Sequence, residues 1–172
     1  MKEFKAGFGI DEIMKKSVMS VAISVVALFF VVPFYGIAAS EKCDNDVVIT
    51  IERTNCFGDC PVYSAQIYAD GAVVYTGKMF VKETGERRFK IPQEKLQELI
   101  KEFERVDYFS LKDKYDAENG MTVTDLPTTT TSLCLDGRKK KVVNYYGAPK
   151  KLFELEDKID LLAGLYKFLG PL

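Results

Sequence analysis

Cys56 and Cys60, with three residues between them and Pro61 directly after, are the positions in this 172-residue chain best equipped for chemistry. Two thiols at that spacing can cycle between thiol and disulfide, offer thiolates to a soft metal, or close as a staple across a tight turn. The absence of histidine narrows the choice. It removes Ser-His-Asp and Cys-His catalysis, imidazole-dependent zinc sites and c-type haem attachment together. Two thiolates alone make an incomplete zinc or copper site unless Cys43 or Cys134 joins them, so no metal and no cofactor is assigned. Carboxylate pairs remain, with Asp59, Asp70 and Asp125 as the loop candidates. Loop aspartates are more often turn formers or caps, so no catalytic residue is assigned and a non-enzymatic role is favoured.

The form Thr54-x-Cys56-x-x-x-Cys60-Pro61 resembles the copper-binding turn of Sco-type copper chaperones, which are thioredoxin-like proteins. Their distant imidazole ligand is missing here. A redox thioredoxin motif also opens a helix, whereas Pro61 leads into the alternating segment "VYSAQIY". The favoured reading is a local disulfide between Cys56 and Cys60, with Gly58 and Asp59 allowing the reversal. Four cysteines permit three pairings, and Cys43 with Cys134 is the candidate second pair. A loop this short fixes the shape of the turn more than the stability of the domain. Arg53, just before the turn, falls in the core-facing phase of its strand, where a guanidinium without a partner is costly. Asp59 or Asp125 is expected to pair with it, so that Arg53 braces the cysteine turn against the "TDLPT" loop.

The elements around these residues follow from periodicity. Val47, Ile49 and Ile51 alternate with Val48, Thr50 and Glu52, and Tyr63, Ala65 and Ile67 alternate with Ser64, Gln66 and Tyr68. Asp70-Gly71 turns the chain into "AVVYTGKMFV", and Thr84-Gly85 turns it again into "ERRFKI". Pro92 opens a helix whose Leu96, Leu99, Ile100, Phe103 and Val106 share one face. After the polar, irregular "SLKDKYDAENGMTVTDLP", the strand "TTTTSLCL" leads through Asp136-Gly137 into "KKVVNYY". Gly147 and Pro149 end that strand. Leu152, Leu155, Ile159 and Leu162 then form the stripe of a last helix, each 56 positions after its counterpart in the first.

The fold class is therefore α+β: an antiparallel β-sheet with two helices packed on one face, built as two hairpin-plus-helix halves. The other face would carry Thr50, Ser64, Gln66, Tyr68, Thr76, Arg88 and Lys90, and solvent exposure is its simplest reading.

The N-terminus reads as an export signal. Met14-Lys15-Lys16 precedes an apolar run from Val18 to Val32, and Ala38-Ala39-Ser40 supplies a small-residue exit. Residues 1–40 are assigned as a signal peptide whose start is Met1 or Met14, residues 41–46 as a short linker and 47–172 as a single α+β domain. The alternative is a membrane anchor formed by residues 18–39. Removing 40 residues leaves 132, enough for one core. Those 40 carry four lysines and three acids, so the net charge moves from −1 to −2 and gives no electrostatic case for nucleic acid. The run Arg138-Lys139-Lys140-Lys141 sits beside a turn and reads as a solvated hairpin end.

Together the segments "ITIERTNCFGDCPVYSAQIYADGAVVYTG", "FSLKDKY", "TDLPTTTTSLCLDGRKKKVVNYYGAP" and "LEDKID" resemble the bacterial domain of unknown function 6438 family. The resemblance runs from about Val48 to Ala163, and its Cys-Phe-Gly-x-Cys-Pro-x-Tyr core is its specific part. The residues at the family's distinctive positions are Arg53, Cys56, Phe57, Gly58, Cys60, Pro61, Tyr63, Asp70, Gly71, Asp125 and Gly147, while Cys43 and Cys134 lie outside the pattern. The resemblance implies a small secreted or envelope domain and brings no established activity or ligand. The function expected is a non-enzymatic binding or structural module in the periplasm, cell envelope or extracellular space. Its partner would be an unknown protein or small-molecule ligand, and it would meet the membrane only through an uncleaved signal segment. The alternatives are a thiol-disulfide or metal-handling protein using Cys56 and Cys60, and an inhibitor-like protein presenting the stapled loop.

Overall fold

The computed structural model describes Cys43, residues 46–116 and residues 123–170, all within one compact unit, Ser40–Leu172. The segment read as a signal peptide lies outside the described residues, as does most of the 41–46 linker. Alternation of apolar and polar side chains yields a meander of β1 (Val47–Arg53), β2 (Val62–Tyr68), β3 (Ala72–Met79) and β4 (Gly85–Lys90). The second half adds β5 (Lys114–Asp116), β6 (Thr129–Leu135) and β7 (Arg138–Tyr146). All seven form one sheet in the order β4-β3-β2-β1-β6-β7-β5. The two halves meet where β1 pairs antiparallel with β6.

One strand departs from the sequence reading. The segment read as irregular supplies β5, which lies parallel to β7 at the sheet edge. Three residues are too few for a period to register. The Asp136-Gly137 hairpin has both φ values positive, 52° and 72°, the geometry of a tight two-residue turn matched to strand twist.

The helices α1 (Gln93–Arg105) and α2 (Lys150–Leu162) each begin directly after a proline, Pro92 or Pro149, with a short α3 (Tyr166–Leu169) following. Helix α1 buries Leu96, Leu99 and Phe103, and α2 buries Leu152, Leu155 and Ile159. Their apolar stripes join Ile49, Ile51, Tyr63, Ala65, Ile67, Val73, Leu133 and Val142 in one core. Leu162, placed on the stripe by spacing, is only partly buried, because α2 ends there and Ala163 and Leu165 continue the core. The helices are tied to each other by Lys158 on Glu102, at 2.5 Å, and by Lys151 Nζ donating to the Val106 carbonyl at 2.6 Å. On the other face, Thr50, Ser64, Tyr68 and Thr76 are half-buried and Gln66, Arg88 and Lys90 exposed.

Candidate functional site

The cysteine turn leaves the end of β1 and enters β2 through Pro61. Cys56 and Cys60 are bridged, with Cα atoms 5.7 Å apart. Gly58, at φ +149°, occupies a backbone region that side chains rarely adopt, and its N–H donates to the Cys56 carbonyl at 3.0 Å. The turn is also laced to the loop before β6. Thr54 N–H donates to the Thr128 carbonyl, Thr128 N–H to Thr54 Oγ1 and Phe57 N–H to the Asp125 carbonyl, each at 3.0 Å. Tyr145 holds that loop further by donating to the Val123 carbonyl at 2.8 Å. Within this frame Phe57 is 89% exposed. Asp59 and Asp125 are exposed as well. Asp125 takes part through its backbone, at φ 68°.

Arg53 does face the helix side, but its partner is neither Asp59 nor Asp125. Its Nη2 donates to Asp160 Oδ2 at 2.9 Å, its Nε to Tyr63 Oη at 2.9 Å and its Nη1 to Thr129 Oγ1 at 3.2 Å. Asp157 lies farther off at 3.7 Å. Tyr63 in turn donates its hydroxyl hydrogen to Asp160 Oδ1. Arg53 therefore does not brace the turn against the "TDLPT" loop as expected but ties β1 to α2, and the turn meets that loop through backbone and threonine groups instead. The physical reason is phase: the guanidinium points under the sheet toward the helix layer, and the loop aspartates stand outside that layer.

Strand register puts these groups in a line. Tyr63 pairs with Arg53, Arg53 with Thr129 and Thr129 with Asn144, so a polar row crosses β2, β1, β6 and β7. Helix α2 crosses above it with two acids one turn apart, Glu156 over Asn144 and Asp160 over Arg53 and Tyr63. Asn144 Nδ2 donates to both Glu156 oxygens, at 3.0 and 3.1 Å, and Glu156 is 2% exposed. Asn144 Oδ1 has no hydrogen-bond partner among the described residues. One register step away, Tyr108 and Thr131 share a buried hydroxyl contact of 2.8 Å.

Burial governs the electrostatics of this row. It pushes the Glu156 carboxyl up to about 7, against the Asn144 hydrogen bond and the attraction of Arg53. Burial likewise lifts the Asp160 carboxyl and the Tyr63 phenol. For Arg53, burial works against the charge, and the Tyr63 phenol and Asp160 outweigh it, so the guanidinium stays protonated. This buried network orders the end of β1, from which the turn springs.

Cys43 and Cys134 are also bridged, with Cα atoms 5.7 Å apart. Asp70 accepts from Ala72 N–H and from Lys90 Nζ, which makes it a turn former. A side chain on Gly71 would place its Cβ 2.6 Å from the Ile91 carbonyl oxygen. Gly147 takes a positive φ of 78° between β7 and Pro149. Among the described residues no helix is long and apolar enough to cross a membrane. Glu156, Asp160, Asn144 and Thr129 are the site residues that the sequence reading passed over. Glu156 could have been found, since it falls inside the stripe of Leu152, Leu155 and Ile159, where an acid is out of place.

No curated protein matches the chain. A match to the family model described as a domain of unknown function (DUF6438) spans residues 47–163, from the first residue of β1 to the end of α2, and takes in both the stapled turn and the polar row; the chain belongs to this family.

Proposed function

We propose that the domain is an exported, non-enzymatic recognition module whose contact point is the stapled turn, with Phe57 as its anchor. The observation that supports this reading is the exposure of Phe57, 89%, on a turn closed by a disulfide and laced to the neighbouring loop by three hydrogen bonds. An aromatic ring held in water gains nothing for the fold. The same ring, already ordered, loses little entropy when a partner pocket covers it, and aromatic anchors dominate many interfaces. Export accords with the two disulfides, which persist in oxidising compartments. Where the partner is an enzyme, the same geometry makes the turn an inhibitory loop.

The test is site-specific photocrosslinking in the producing cell, with the reactive side chain at position 57 and a control at Phe153, which is 46% exposed on α2. A discrete adduct from position 57 that is absent from the control supports the proposal. No adduct from position 57, or the same products from both positions, overturns it.

A further inference from the structure

The β3–β4 hairpin lies beside the cysteine turn. Val62, which opens β2 directly after Pro61, pairs with Met79, the last residue of β3, so turn and hairpin stand together at one end of the sheet. Between them runs an open groove of about 410 Å³, with Asn55 on the turn side, Lys78 and Met79 on the hairpin side and Val62 between. Both walls are held in place. The turn is stapled and laced, and in the hairpin the Glu83 carbonyl accepts from the Tyr75 hydroxyl at 3.2 Å while Glu83 N–H donates to the Phe168 carbonyl at 3.1 Å. The hairpin wall departs from regular pairing twice. The register jumps between Val62 and Tyr63, which leaves Lys78 as an extra residue in β3, and Phe80 takes a positive φ of 52°. A bulky residue in that region is strained, and Phe80, 49% exposed, recovers little of the strain through burial.

We infer that this groove receives an extended, uncharged peptide segment of a partner protein, with one large apolar side chain against Val62 and Met79 and a backbone amide on Asn55. The inference rests on the stapled turn being the contact point and adds the chemistry of what it contacts. The charges lining the groove select against a charged segment. Glu52 and Lys78 lie 3.6 Å apart and Arg53 is held by Asp160 at 2.9 Å, so each of the three already faces an opposite charge. A further charge would have to break one of those pairs or stay unpaired. Asn55 is exposed, and its amide offers donors and an acceptor, the complement of a peptide unit. A helix uses those backbone groups internally, so an extended chain is the form that can present both. Met79, 48% exposed, supplies an unbranched, polarizable surface that adapts to the side chain it meets. Walls already ordered lose little entropy on binding.

The test is selection of phage-displayed random linear peptides on the immobilised full chain, followed by calorimetric titration of the enriched peptides. Sequences with a large apolar residue among uncharged neighbours are expected. Met79→Glu should weaken their binding at least roughly tenfold, about 1.4 kcal/mol. Asn55→Ala should weaken it several-fold, both variants keeping the parent melting temperature, and Phe153→Ala should leave it intact. Met79→Ala, with a several-fold loss, serves if the charged variant does not fold. No enrichment, enrichment of charged sequences, or binding that survives Met79→Glu or Asn55→Ala overturns the inference. So does a concentration-dependent dimer that Met79→Glu dissolves, which gives the groove to a second copy. The adduct sought from position 57 decides the turn separately: where it forms, these failures strike the groove alone.

Discussion

Arg53 Nη2 lies 2.9 Å from Asp160 Oδ2, joining the last residue of β1 to a helix 107 positions later. Both groups are largely removed from water, with side-chain exposures of 22% and 15%. Deleting one partner strands the other charge. Arg53→Ala or Asp160→Ala should therefore cost about 3 kcal/mol in chemical denaturation. The double variant should cost less than the sum of the two. Independent, additive losses would show that the pair is not coupled.

Glu156 makes stability depend on pH. Its carboxyl titrates at about 7 in the folded chain against an ordinary value of 4.5, so between those values the folded state holds a proton that the unfolded state has released. Stability from this group is full below about pH 4.5 and is lost as pH rises through about 7, on the order of 3 kcal/mol in all. Asp160, also raised by burial, acts with the same sign. Melting followed from pH 4.5 to pH 8 should decline, and Glu156→Gln should flatten that decline and melt higher at pH 8.

The two disulfides should contribute unequally. Cys56 and Cys60 are 4 positions apart and Cys43 and Cys134 are 91 apart. Chain-entropy reasoning gives about 2 kcal/mol for the short loop and about 4.5 kcal/mol for the long one. Paired serine substitutions, compared by urea denaturation, should reproduce that order. Loss of Cys56 and Cys60 should also abolish any adduct at Phe57 while leaving a cooperative fold.

Gly77 pairs with Tyr63 beside the polar row. A Cβ there would lie 2.2 Å from the Glu83 carbonyl oxygen and 2.7 Å from the Tyr75 hydroxyl. Tyr75 donates to that same carbonyl at 3.2 Å, so nothing nearby can yield without breaking a bond. Gly77→Ala should destabilise the domain by about 2 kcal/mol, read as a lowered denaturation midpoint.

The sheet was legible because its inward residues keep strict alternation: Ile49 and Ile51 in β1, and Tyr63, Ala65 and Ile67 in β2, all end up buried. The helices were legible for a similar reason, as Leu96, Leu99 and Phe103 recur at helical spacing. Arg53 could be placed on the core side by the same phase. Its partner could not be named, because periodicity assigns faces and says nothing about which distant acid meets which cation. Asn144 and Thr129 hid in plain alternation, where a polar residue at an inward position is indistinguishable from a register error until the strands are paired. Strand β5 itself was invisible, as its three residues, two of them exposed, carry no period.

The Cys43–Cys134 bridge has a mechanical consequence. Tension arriving from the N-terminal side is delivered at Cys43, just ahead of β1, and the bridge shares it with β6 in the middle of the sheet. Peeling β1 from its neighbours one hydrogen bond at a time would require that covalent link to yield first. The load is spread instead over β1 and β6 together, so a pull from that end meets the ladders on the far sides of both strands, where β1 alone would be held only by its own two ladders, to β2 and to β6.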